Sequence, residues 1–189
     1  MGRAAYPARQ CMGSARLTVR ARAVHSAAMV VRLRIEGQSQ GVKEASALTQ
    51  RFATRMLSAL ALQDSELSLL ICDDRVMRRL NRQHRNIDKP TDVLAFAMRE
   101  GPALVSMNDA LGDVVISWPT TKRQARSHGQ PAERELCLLL AHGVLHLLGF
   151  DHENRVTERR MMARAHMLMA AALKPTSRVD KLRRRSARR

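Results

Sequence analysis

Aromatic residues are scarce in this chain of 189 residues, which has three Phe, one Trp and one Tyr. Its core must therefore be built from Leu, Val, Ile, Met and Ala. A row of aromatic rings that stacks successive nucleobases is not expected, with Phe96, Trp118 and Phe150 the few exceptions. Cysteine is also sparse. Cys11, Cys72 and Cys137 are far apart and form no CxxC pair, which excludes a zinc knuckle or disulfide framework and fits a reducing compartment. No run of 18 apolar residues occurs, so an ordinary membrane span is excluded. The sequence also has no Walker A loop, no dinucleotide fingerprint and no internal repeat.

Acidic residues are missing from both ends. Residues 1–28 contain five Arg and no acid, and residues 181–189, KLRRRSARR, contain six basic residues and no acid. Removing these eleven charges from the total of +16 leaves +5 for residues 29–180, so the central part is only mildly basic. Residues 1–28 lack the apolar stretch of a signal peptide. They read as a disordered extension, either an organellar presequence or upstream sequence from a misassigned start, the second being favoured because regular structure begins at Met29. Residues 174–189 read as a basic tail that solubilises the chain or contacts RNA phosphates. A cytoplasmic location is expected, and an organellar one only if residues 1–28 are a true presequence.

Hydrophobic residues make up 45% of the chain, enough for one domain with a sizeable core. The pattern predicts strands over 29–35, 67–73, 92–98 and 112–118. Helices are predicted over 43–62, 74–83, from near Pro119, over 131–148 and over 154–173. On the first helix, Leu48, Phe52, Met56, Leu57 and Leu60 mark one apolar face. In the last, Met161, Met162, Met167 and Met169 read as adaptable core filler, and Cys72 and Cys137 as inert buried thiols. Interspersed strands and helices predict an α+β fold, a single domain over 29–173 with a small mixed sheet packed by helices.

What the sequence does have is a histidine cluster. Residues 142–153 read HGVLHLLGFDHE, with three of the seven histidines of the chain. On a helix, His142 and His146 are four apart and point their imidazoles at one place. Gly143 lets a ligand or a neighbouring backbone approach the helix. Gly149 can end the helix in a left-handed turn and bring His152 back as a third ligand. Two such histidines alone fit satisfied core residues equally well; the third favours a metal, with three protein ligands and an open position as in catalytic zinc sites. One zinc ion per chain is expected, in a zincin-like arrangement of HGxxH on a helix. A zinc peptidase of the HExxH type carries its glutamate base where this chain has Gly143, so ordinary peptidase chemistry lacks its proton acceptor.

The histidine segment resembles H-G-x-L-H-L-x-G-[FY]-D-H, the signature of the YbeY family of bacterial endoribonucleases. LNRQHRNIDKPTDVLAFAM, residues 80–98, resembles that family's L-N-x-x-Y-R-x-x-D-x-P-T-D-V-L-S-F block. LGDVVIS, residues 111–117, resembles its L-G-D-I-x-I-S strand. The resemblance implies a single-strand-specific, zinc-dependent endoribonuclease acting in 3′-end maturation of small-subunit (16S) ribosomal RNA and in ribosome quality control. The implied partners are single-stranded RNA, small-subunit ribosomal RNA and the ribosome, with ribosomal-protein contacts and no membrane. It also implies that His142, His146 and His152 hold the metal and that Arg85 is the functional arginine. Three positions depart from the pattern: His84 stands where tyrosine is usual, and Ala95 and Ala97 replace the serine and proline of S-F-P.

Arg85 offers a permanently charged, planar fork to a phosphate oxygen and is expected on a solvent-accessible loop. His84 beside it can alter substrate contact. Ser117 can bond the substrate or support the metal site, although strand-end serines are usually structural. Asp151 can accept the second ring N–H of a ligand histidine or fix the turn. Asp92 and Asp113, at strand starts, read as caps and turn bonds. His128 and His166 have no partner in the local pattern. No side chain is assigned as general base. Three function classes follow: a metal-dependent endoribonuclease, a non-catalytic ribosome-associated RNA-binding factor with a structural four-ligand metal, and, least favoured, a metallopeptidase.

Overall fold

The computed structural model describes residues 29–37, 41–98, 110–150 and 154–175. The alternating segment VVRLRIE forms β1 (Val30–Glu36), followed by α1 (Val42–Ala59), β2 (Glu66–Cys72) and α2 (Asp74–Arg85). Then come β3 (Val93–Ala97), β4 (Ala110–Ser117), α3 (Trp118–Ser127), α4 (Ala132–Leu147) and α5 (Arg155–Ala172). Every element expected from the pattern is present. Helix α1 stops before the expected residue 62 because Ala61 turns left-handed, at φ 56°. The N–H groups of Leu60, Ala61 and Leu62 then bond back to the carbonyls of Met56, Ser58 and Leu57.

The four strands form one sheet in the order β1-β2-β4-β3. β1 and β4 both pair parallel to β2, while β3 lies antiparallel on β4 as an edge strand. The sheet is therefore mixed, as expected. β2 lies between two parallel neighbours with both faces covered, which accounts for its near-continuous apolar run. Leu67, Leu69 and Ile71 of β2, with Leu111, Val114 and Ile116 of β4, join one core cluster with Phe52 and Met56 of α1, Leu140 and Val144 of α4, and Met161 of α5. Cys72, Leu94 and Val115 join a smaller cluster with Val76 and Met77 of α2. Adjacent strand residues thus serve different clusters, as period-two alternation requires.

A bulge shapes the strand next to the site. Between Glu66 and Leu67 the register on β4 skips from Ala110 to Gly112, so Leu111 is an additional residue. Gly112 sits at φ +136°, and a Cβ there would lie 2.1 Å from the carbonyl oxygen of Phe96. Only glycine fits this close approach of β4 to β3. The methionine expectation for α5 needs one correction: Met161 and Met169 are buried, but Met167 is 69% exposed and fills no core. Among the described residues, no helix is long and apolar enough to cross a membrane.

Candidate metal centre

Helix α4 begins after Pro131 and carries Glu133 and Glu135 in its first turn, where carboxylates complement the helix dipole. Its core-facing residues bury it so deeply that its C-terminal half is fixed in place: Ala141, Val144 and Leu145 are all fully buried. His142 and His146, half-buried, stand one turn apart with their Nε2 atoms 3.1 Å apart and their rings edge to face. Two ring nitrogens this close must share a proton or a cation, because facing lone pairs repel. Imidazoles bound to one zinc at about 2.0–2.1 Å in near-tetrahedral geometry would place their nitrogens about 3.3 Å apart. The observed pair fits that requirement.

Gly143 allows the helix to sit this close to the sheet. A Cβ there would lie 2.7 and 3.2 Å from the two γ-methyls of Val114 and 3.4 Å from a methyl of Val93. The protein atoms that approach closely there are side chains of β4 and β3 rather than backbone. At the other end, Gly149 adopts φ +78°. Its N–H bonds to the His146 carbonyl at 2.9 Å, and that of Phe150 to the Leu145 carbonyl at 3.0 Å. This pair of bonds is the Schellman arrangement, and it stops α4 just after His146. Asp151 and His152, which follow, lie outside the described residues. Among the described residues, no group of three His, Cys, Asp or Glu converges as a metal site.

A cleft of about 670 Å³ opens beside the two histidines. His142, Gly143 and His146 form one wall, residues 91–97 another, and His84 and Arg85 a third. Arg85 is not on a loop, as expected from the sequence, but is the last residue of α2. Asn86 ends the helix there with a left-handed φ of 57°, which an asparagine tolerates. The His84 ring packs against Phe96 of β3, with centroids 4.7 Å apart. Elsewhere on α2, Arg78 makes a fork to Asp88 at 2.8 and 2.6 Å, and Arg79 pairs with Glu36 at 2.6 Å. Among the described residues, no carboxylate pairs with Arg85.

Polar side chains fasten the segment between α2 and β3, Asp92 among them by the kind of turn bond its place at a strand start predicts. Buried Asn81 donates to the Lys89 carbonyl at 2.7 Å. Asp88 is held by Arg78. Asp92 accepts from its neighbour Thr91, from the Val93 N–H at 2.8 Å and from Gln124 of α3 at 2.8 Å. The Asn, Asp and Asp of the 80–98 segment are thus fasteners that hold its His and Arg at the cleft. For Asn81 and Asp88 the only sequence signal for this was their polar character around a proline.

Ser117 is not among the residues lining the cleft, although its N–H bonds to the carbonyl of Asp92, which is, at 2.9 Å. It is fully buried, caps α3 by accepting from the Thr120 N–H, and donates to Asp74 at 2.5 Å. Thr120 and Arg123 also donate to Asp74, at 2.7 Å each. Burial alone would raise the Asp74 pKa, but these bonds from Arg123, Ser117 and Thr120, with the charge of Arg123, hold it below the ordinary carboxylate range. His128 does have a partner, contrary to the sequence expectation: its Nδ1 lies 3.2 Å from buried Glu135, which Gln130 also bonds. Cys72 and Cys137 are buried thiols. Burial pushes each up to about 12, with Asp73 adding for Cys72 and Glu133 for Cys137, so neither is a ready nucleophile.

With this geometry established, comparison with known proteins is informative. The model of the family described as Endoribonuclease YbeY matches residues 34–172. An Endoribonuclease YbeY of Syntrophotalea carbinolica is 45% identical over 140 residues, covering 73% of this chain and 93% of the relative. One from Roseiflexus castenholzii is 39% identical over 149 residues, covering 77% and 94%. The solution structure of TM1509 from Thermotoga maritima superposes with a TM-score of 0.52 at 25% identity, covering 74% of this chain and 88% of that one. The chain belongs to the YbeY family of endoribonucleases.

Proposed function

We propose that this protein is a zinc-dependent endoribonuclease that hydrolyses single-stranded RNA, in 3′-end maturation of small-subunit ribosomal RNA and in ribosome quality control. The observation that carries this reading is that His142, His146 and Arg85 line one cleft. His142 and His146, with His152, are the residues that would hold zinc. When bound, zinc supplies positive charge toward an anionic phosphodiester and acidifies a water. Ligation by neutral imidazoles, rather than carboxylates, leaves that charge uncompensated. Asp151 is placed by the sequence to orient a ligand imidazole or to fix the turn.

The chain's own contribution is positioning. Arg85 clamps a phosphate oxygen with a fork that no carboxylate among the described residues occupies. His84, held on Phe96, gives a base an aromatic surface beside that phosphate. Gly143 stands where a zinc peptidase carries its glutamate, which counts against peptide hydrolysis. The natural partners are then single-stranded RNA, the small ribosomal subunit and neighbouring ribosomal proteins in the cytoplasm.

The test is cleavage of a labelled single-stranded RNA by wild type, Arg85→Ala and Arg85→Lys, with metal content measured in parallel. Arg85 is exposed and fills no core, so both variants keep fold and metal. Arg85→Ala lowers kcat/KM, each tenfold corresponding to about 1.4 kcal/mol. Arg85→Lys recovers only part, because an ammonium cannot reproduce the fork. Wild-type rates in a fully metallated Arg85→Ala protein would remove Arg85 from the mechanism.

A further inference from the structure

A second pocket, of about 600 Å³, lies at the turn that ends α4. Gly149 and Phe150 of that turn form one wall, and Thr157, Arg160, Ala163 and Arg164 of α5 form the other. Arg160 and Arg164 are four apart on the helix, so both project from one face of α5. Among the described residues, no carboxylate pairs with either. The Arg164 guanidinium lies over the Phe150 ring, 4.6 Å from its centroid. That contact holds one planar cation against an aromatic face and keeps its N–H groups available. The Arg160 side chain is exposed next to it.

Two guanidinium groups with no carboxylate partner among the described residues, one of them over an aromatic ring, are a combination suited to a phosphate and a base together. A phosphate accepts from both forks, and a base stacks on a guanidinium plane or an aromatic edge. A free inorganic anion would use only the charge and leave the Arg164–Phe150 surface without a role. The pocket is also tied to the cleft. Gly149 of its wall donates to the carbonyl of His146, whose ring lines the cleft. His146 and Gly149 are one helical turn apart, about 5 Å along the axis, which puts cleft and pocket within reach of a single RNA strand.

We infer that the pocket formed by Phe150, Arg160 and Arg164 is a second RNA subsite, which holds a nucleotide away from the scissile bond on the strand occupying the cleft. This inference rests on the endoribonuclease reading for its choice of RNA as ligand. The subsite serves affinity for longer strands and has no part in the chemical step. Wild type and the double variant Arg160→Ala, Arg164→Ala therefore differ in how they bind RNA of different lengths.

The experiment measures equilibrium binding of the full-length chain to labelled single-stranded RNA of about four and about sixteen nucleotides, lengths that bracket ordinary single-strand sites. Binding is measured in chelator at several salt concentrations, and cleavage is followed separately with metal. The double variant is expected to bind the longer RNA about tenfold more weakly, equivalent to about 1.4 kcal/mol. Its log–log salt slope should be smaller by about 0.7, for one lost single-strand phosphate contact. Binding of the short RNA and kcat stay at wild-type values. Arg164→Lys restores the salt slope but not the full affinity, since it keeps the charge and loses the stacked plane. A charge-matched control, Arg34→Ala with Lys43→Ala, leaves the length dependence unchanged.

Unchanged binding of the longer RNA by the double variant would overturn the subsite, as would equal weakening for both lengths. If wild type binds with the expected length dependence but cleaves neither RNA, the nuclease reading fails and the subsite stands. If cleavage is intact and the double variant binds like wild type, the subsite alone fails.

Discussion

Substituting Gly143 by alanine tests whether the close approach of α4 to the sheet is what sets the cleft. The added Cβ would meet Val114 at 2.7 Å, against a carbon–carbon optimum of about 3.5–4.0 Å. Both γ-methyls of Val114 face the glycine, at 2.7 and 3.2 Å, so rotating the valine only exchanges one clash for another. Val114 is 1% exposed and has nowhere to go, so α4 must move away from β4 by up to about 1 Å. Overpacking of this kind costs about 1–3 kcal/mol, and the better helix propensity of alanine returns about 1 kcal/mol. The net destabilisation is therefore modest, with a fall in Tm of about 2–4 °C per kcal/mol for a domain of this size. The functional cost is larger, because the shift separates His142 and His146 from Arg85. A misplacement of about 1 Å can cost on the order of 100-fold in rate. RNA cleavage and thermal unfolding of Gly143→Ala, Val114→Ala and the double variant complete the cycle. The double variant should recover most of the lost rate, since Val114→Ala removes both offending methyls. Wild-type cleavage by Gly143→Ala, or no recovery in the double variant, would refute the reasoning.

The Asp74 network predicts a pH effect on stability. A carboxylate whose folded pKa is depressed contributes stability that is present above its unfolded value, about 3.9, and lost as pH falls through the lower folded value. Asp74→Asn should therefore be less stable than wild type at neutral pH, with the gap closing in acid melts below about pH 4. A gap that stayed constant with pH would mean that the Ser117, Thr120 and Arg123 bonds are not what Asp74 contributes. The catalytic domain is proposed to span residues 29–173, so a chain beginning at Met29 should melt within a degree or two of the full chain. A substantially lower Tm would place part of residues 1–28 in the fold.

Much of the fold was legible because the physics there is local. An alternating run marked β1, a compact apolar run marked β2, a proline marked the start of α4, and Gly149 marked its end. The i,i+4 spacing likewise brought His142 and His146 together before any fold was known. What escaped the sequence depends on contacts between distant segments. The order β1-β2-β4-β3 puts β4 beside β2, and no local pattern specifies that pairing. Thr49 is fully buried, its hydroxyl satisfied by the Ala45 carbonyl at 2.7 Å, and its polar character gave no sign of this. His128 looked solitary because its partner, Glu135, is across a turn and buried in the next helix. Arg85 looked like a loop residue because Asn86, rather than a glycine or proline, ends its helix. The pairing of His84 with Phe96 needed the antiparallel edge strand to be known first.

The central claim is that RNA cleavage depends on a metal held by His142, His146 and His152. The most direct measurement is to strip the full-length chain with chelator, return zinc in steps, and follow metal content and single-stranded RNA cleavage on the same samples. Cleavage should vanish on stripping and rise in proportion to bound zinc, saturating near one ion per chain. Alanine at any of the three histidines should lower both together. Cleavage that survives complete removal of metal, or unchanged stoichiometry in all three alanine variants, would contradict the account.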